Sequence, residues 1–145
     1  MSNQKYFVGV DGSEWSDRAA ECAVTIADDT GASVLFMFVT NWSDYSMMTV
    51  EGAMHRPADK AEEEKHAFDD VLNPLVEKYR DSGVAIETAH DWGDPRYVLL
   101  EKAKDIHASM IIMGRRGRSR FVDLVMGSVS NALVHSASVP VLLVP

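Results

Sequence analysis

Apolar residues gather into five short runs separated by stretches of helical periodicity. Residues 6–11 (YFVGVD) form a β-branched and aromatic run that stops at Gly12. Residues 33–40 (SVLFMFVT) are almost wholly apolar, as in a strand covered on both faces. Residues 85–90 alternate more weakly, and residues 109–113 (SMIIM) end at Gly114. Residues 139–144 (VPVLLV) close the pattern, with Pro140 suited to an edge strand or a strand start.

The intervening stretches read as helices. Ser13 or Ser16 caps a helix whose Ala19, Ala20, Ala23, Val24 and Ala27 share one side. Phe68, Val71, Leu72, Leu75 and Tyr79 follow the same period, with a kink or break expected at Pro74 and a cap at Gly83. Asp94-Pro95 reads as a cap followed by proline at the first helical position, leading to Leu99, Ala103 and Ile106. Ser128 is expected to cap a last helix through Val134.

Five strands alternating with four helical segments predict an α/β domain, a parallel sheet with helices on both faces. The 145 residues fit one domain, 1–145. Right-handed crossovers leave strand orders 3-2-1-4-5 and 2-1-3-4-5 both open. In either, ligands bind beyond the carboxyl ends of the strands, where the order reverses. Asp11 and Gly114 stand at two such ends.

Net charge changes the picture in two steps. The total of −8 disfavours a generic nucleic-acid binder. Residues 1–113 carry 21 acidic and 10 basic side chains, giving −11, whereas residues 114–145 carry four arginines and Asp123, giving +3. Arg115, Arg116, Arg118 and Arg120 therefore form a basic segment on an acidic body. The single cysteine, Cys22, excludes an internal disulfide and fits a reducing, cytoplasmic setting. No signal peptide is evident, and the longest uncharged run, residues 124–145, is too polar for a membrane span. The five histidines show no metal-ligand spacing.

The strongest chemical signal is Met113-Gly114-Arg115-Arg116-Gly117, then nine residues, then Gly127-Ser128-Val129. Glycines let backbone approach a ligand closely. A helix start offers unpaired N–H groups and the positive end of the peptide dipole. Together they describe a phosphate cradle. It is neither a Walker P-loop nor a G-x-G-x-x-G fingerprint. The arginines beside it suit phosphate pairing. On this reading, valine at Gly114 or Gly127 weakens ligand binding while the fold survives.

G-x2-G-x9-G-S closing a small α/β chain resembles the universal stress protein family, specifically its ATP-binding subgroup. Val10-Asp11-Gly12-Ser13, Gly93-Asp94-Pro95 and the tail from Gly127 to Pro140 are also similar to that family. The resemblance spans essentially the whole chain. It implies strand order 3-2-1-4-5, a Rossmann-like domain, an ATP site at the β1/β4 crevice, and a homodimer through residues 139–144. It further implies that Asp11 accepts from the ribose hydroxyls and that Val39 meets the adenine. Gly114 and Gly117 would approach the phosphates, and Gly127, Ser128 and Val129 would hold them. The full site comprises Val10, Asp11, Gly12, Ser13, Val39, Met113, Gly114, Arg116, Gly117, Gly127, Ser128 and Val129, with Mg2+ held mainly through the phosphates. Phe38 stands where the family often has histidine, and Ser109 where it commonly has aspartate. Phe38 is therefore expected to alter packing near the base.

These features point to an ATP-binding stress or signalling module. Two alternatives stand beside it. A slow ATP hydrolase or phosphotransferase needs a group that positions the nucleophile, and neither Asp123 nor Ser128 clearly fits. A dimeric interaction protein without nucleotide would not need the intact glycine motif. Residues 41–56, rich in methionine and aromatic residues, read either as a surface for a protein partner or as a loop folded back on the domain.

Overall fold

A computed structural model of the chain describes residues 3–41, 57–117 and 126–145. Among these, the elements follow as β1 (Lys5–Gly9), α1 (Glu14–Thr30), β2 (Ser33–Asn41) and α2 (Pro57–His66). A π-helical turn (Ala67–Leu72), α3 (Asn73–Lys78) and a 3-10 turn (Arg80–Ser82) come next. β3 (Ile86–Gly93), α4 (Pro95–Asp105), β4 (Met110–Gly114), α5 (Ser128–Ser136) and β5 (Val141–Val144) complete the order. The strands pair in parallel as β3-β2-β1-β4-β5. Order 2-1-3-4-5 is thereby excluded. The order reverses between β1 and β4, which pair from Tyr6↔Met110 to Val8↔Ile112.

Strand residues alternate between two cores because successive side chains point to opposite faces. Val34, Phe36 and Phe38 of β2 join Tyr6 and Val8 of β1 against α1 and the π-turn. Leu35 and Met37 join Phe7, Ile111 and Met113 against Leu99 of α4 and Leu133 of α5. Phe7, Phe36, Ile112 and Leu133 are fully buried, each worth roughly 1.5–3 kcal/mol over the exposed state. The buried stripe of Ala19, Ala20, Ala23 and Ala27 on α1 packs small side chains against the sheet.

The break expected at Pro74 takes the form of the π-turn just before it. Proline has no N–H and its ring crowds the preceding turn. The wider π-turn meets that demand, with Asn73 N–H donating to Phe68 O, and α3 then starts with proline in its first turn. Asp94 caps α4 as expected, accepting from Arg96 N–H at 3.0 Å.

Several boundaries differ from expectation. β1 stops at Gly9, so Asp11 lies two residues past the strand. β3 runs on to Gly93, since its ladder with β2 continues through Thr40↔Trp92 and Asn41↔Gly93. β5 starts at Val141, after Pro140, whose carbonyl still accepts from Ile111 N–H at 2.9 Å. Among the described residues, no helix is long and apolar enough to cross a membrane.

Candidate functional site

Beyond the carboxyl end of β1 the chain makes a tight, hydrogen-bonded turn. Val10 N–H still donates to Met37 O at 2.9 Å. Gly12 then adopts φ 81, a backbone conformation that favours glycine. Asp11 Oδ1 accepts from Ser13 N–H at 2.9 Å. Ser13 Oγ accepts from Ser16 N–H at 3.2 Å, which makes Ser13 the cap of α1 and settles the choice between the two serines. Ser16 Oγ accepts from Asp11 N–H at 3.3 Å and donates to Ser13 O at 3.1 Å.

Beyond β4 the glycine segment is tied at both ends. Gly114 O accepts from the buried Ser130 Oγ at 2.7 Å. Arg115 N–H donates to Val144 O at 2.8 Å, and Arg115 O accepts from Gly127 N–H at 3.0 Å. Gly127 caps α5 in an extended conformation, φ −57 and ψ 153. Ser128 is therefore the first helical residue rather than the cap, a correction to the sequence reading. The first i→i−4 bond of α5 runs from Asn131 N–H to Gly127 O. The N–H groups of Ser128, Val129 and Ser130 thus precede the helical ladder and face the helix entry.

A cleft of about 160 Å3 lies between these two walls, at the reversal of strand order. Its apolar part is Met37, Val39, Leu99 and Met113. Its polar part is Asp11 and Ser16 on one side, with Arg116, Gly117, Gly127, Ser128 and Val129 on the other. Val10 and Gly114 also line it, so ten of the twelve expected residues come together there. Gly12 and Ser13 are not lining residues; they shape the turn behind Asp11. Arg118, Arg120 and Asp123, and residues 42–56 of the proposed partner segment, lie outside the described residues.

The sequence reading missed Gly9, Ser16, Met37, Pro95, Leu99 and Ser130. Three of these had a signal. Met37 is two residues before Val39 on β2, so placing Val39 in the site places Met37 there too. Pro95 and Leu99 stand four apart on α4 and share a face.

Three residues have partners that the sequence did not show. A Cβ on Gly114 would lie 2.9 Å from the Trp15 carbonyl carbon, Cβ and carbonyl oxygen. Its lack of a side chain therefore serves the contact between β4 and the start of α1. Gly117 likewise meets a group of the chain itself, since a Cβ there would fall 2.6 Å from Asp11 Oδ2. Phe38 points to the face opposite the cleft and cannot shape its apolar end. It stacks on His90 with ring centroids 6.0 Å apart, and Phe68 and Trp92 meet the same imidazole edge-on. Burial among these rings lowers the His90 pKa below its ordinary 6.5, against the carboxylates of Glu64, Asp91 and Glu63.

The cleft suits a ligand with a flat apolar body, hydroxyls to donate to a carboxylate, and an anionic group for the helix entry. A family model described as the universal stress protein family matches residues 3–145. The universal stress protein YxiE of Bacillus subtilis is 28% identical over 144 residues, with 97% of each chain covered. A solved universal stress protein in complex with cAMP aligns with a TM-score of 0.71 at 24% identity, covering 100% of this chain and 99% of that one. The universal stress protein from Archaeoglobus fulgidus in complex with dAMP aligns with a TM-score of 0.69 at 21% identity, covering both chains fully.

Proposed function

The chain belongs to the universal stress protein family, and on that premise we propose that it is a cytoplasmic, ATP-binding stress-response module whose nucleotide sits in the β1/β4 cleft. The observation that carries this is the convergence on one cleft of Asp11, the Gly114–Gly117 segment and the entry of α5. Each part meets a different portion of a nucleotide. Met37, Val39, Leu99 and Met113 offer an apolar slot for a base. The Asp11 carboxylate accepts from ribose hydroxyls. The first N–H groups of α5, with Arg116 beside them, receive phosphate. The solved relatives in complex with cAMP and dAMP support an adenine nucleotide. A triphosphate is favoured by the basic segment that starts at Arg115. Asp11 is the one carboxylate among the described lining residues and is engaged by its own turn. Mg2+ would therefore be held mainly by the phosphates, and supplies charge neutralisation there.

We further propose a homodimer through β5, an edge strand of the described sheet. Proteins usually cover apolar edges, and pairing with a second copy does so with two-fold closure. A binding role is favoured over hydrolysis because no described lining residue stands out as a base for water.

Titration calorimetry with ATP, AMP and cAMP tests the nucleotide reading, together with identification of any nucleotide released on denaturation. ATP is expected to bind about tenfold or more tightly than AMP, since the outer phosphates add charge-assisted contacts. No heat with any of the three at millimolar concentration, and no released nucleotide, would overturn it.

A further inference from the structure

We propose that Ser16 is a positioning residue that sets the selectivity of the cleft for nucleotides bearing ribose hydroxyls. The inference rests on the nucleotide reading above. Ser16 is only 4% exposed, and it lines the cleft without offering a spare hydroxyl to it. Its Oγ accepts from Asp11 N–H at 3.3 Å and donates to Ser13 O at 3.1 Å. Ser13 N–H in turn holds Asp11 Oδ1 at 2.9 Å. The ring closes through Ser16 N–H, which donates to Ser13 Oγ at 3.2 Å.

This ring fixes Asp11 at two points, its backbone N–H and one carboxylate oxygen. The other oxygen, Oδ2, is then directed at the opposite wall, where Gly117 lacks a side chain. Asp11 is only half-buried, so packing alone would leave its carboxylate several rotamers. Hydrogen bonds are directional, and a prealigned acceptor spares the ligand the cost of ordering it. A ligand without sugar hydroxyls draws nothing from that alignment. Loss of Ser16 therefore weakens hydroxyl-bearing nucleotides selectively, whereas general loosening of the cleft weakens all of them alike.

Ser16→Ala removes the hydroxyl but keeps the backbone N–H that Ser13 caps, so α1 retains its start. Calorimetry compares ATP with 2′,3′-dideoxy-ATP on the wild type, Ser16→Ala, Asp11→Asn and the double variant, with thermal melts confirming folding. Ser16→Ala is expected to weaken ATP about tenfold and dideoxy-ATP less than about threefold. In the Asp11→Asn background the same change should cost ATP less than about twofold, because the aligned group is gone. Ser16→Thr, which keeps the hydroxyl, should restore the ATP preference. Equal losses for both nucleotides, or full additivity with Asp11→Asn, would overturn the positioning role while leaving nucleotide binding intact. A wild-type chain that binds neither nucleotide would overturn the nucleotide reading and this role with it.

Discussion

Replacing Gly114 by alanine separates packing from ligand contact. The added Cβ would lie 2.9 Å from three Trp15 atoms, two of them backbone. Carbon contacts are ordinarily ~3.5–4.0 Å, so an overlap of roughly 0.6 Å or more must be relieved. Neither side yields readily. Gly114 is paired with Val144 and its carbonyl is held by Ser130 Oγ. The start of α1 is held by the Ser13 cap and by the buried alanine stripe. Overpacking at such a site costs about 1–3 kcal/mol. In a domain of this size that lowers Tm by roughly 3–10 °C.

The assay is thermal and urea unfolding without nucleotide, run beside Gly127→Ala. A Cβ on Gly127 would meet its nearest atoms at 3.5 Å, an ordinary contact, and its φ of −57 suits any residue. Its loss should stay near 1 kcal/mol or below, that of a weakened helix cap. A Gly114→Ala protein that unfolds at the wild-type midpoint would refute the packing account. If the loss is seen, weaker nucleotide binding in a Gly114 variant no longer argues for a phosphate contact at that residue.

Three further outcomes are expected. Gly117→Ala, which drives a methyl to within 2.6 Å of Asp11 Oδ2, should weaken ATP by about tenfold or more with little change in melting; wild-type affinity by calorimetry would remove Gly117 from the site. The depressed His90 pKa means the unfolded chain takes up its proton first as pH falls. That contribution to stability is complete above 6.5 and lost as pH falls through the lower native value. The fall in urea midpoint between pH 7.5 and 5 should therefore be shallower in His90→Gln, and equal slopes would count against it. Pro140 O accepts from Ile111 N–H and Val144 O from Arg115 N–H, so alternation turns the backbone N–H and C=O of Val141 and Leu143 toward the outer edge. Leu143→Pro should therefore convert a dimer to a monomer by light scattering at micromolar concentration while β4 and β5 stay paired; a wild-type monomer would reject the dimer outright.

Much of the fold was legible because its elements obey simple periods. The nearly continuous apolar run of β2 announced a strand buried on both faces, and the alanine stripe of α1 announced its inner side. What the pattern could not give was strand order, since both doubly wound orders satisfy the same alternation; the motif resemblance implied the observed one. The site was legible where residue type carries the chemistry, as at Asp11, Arg116 and the α5 entry. It was illegible where direction matters. Phe38 and Val39 are adjacent in sequence yet serve opposite faces, so the departure at Phe38 touches the His90 cluster and not the base slot. Ser16 was read only as a rival cap, because nothing in a serine's position shows which of its two hydrogen-bonding functions is used.

The three glycines of the motif perform three different tasks, and that explains its spacing. Gly114 admits the Trp15 backbone, Gly117 admits the Asp11 carboxylate, and Gly127 enters α5. The first two must stand at fixed offsets from the end of β4, because Trp15 and Asp11 are fixed by the β1 turn and the start of α1. The third is placed by the Arg115 O to Gly127 N–H bond, which brings the returning chain back beside the departing one. The x2 spacing is thus dictated by two rigid partners.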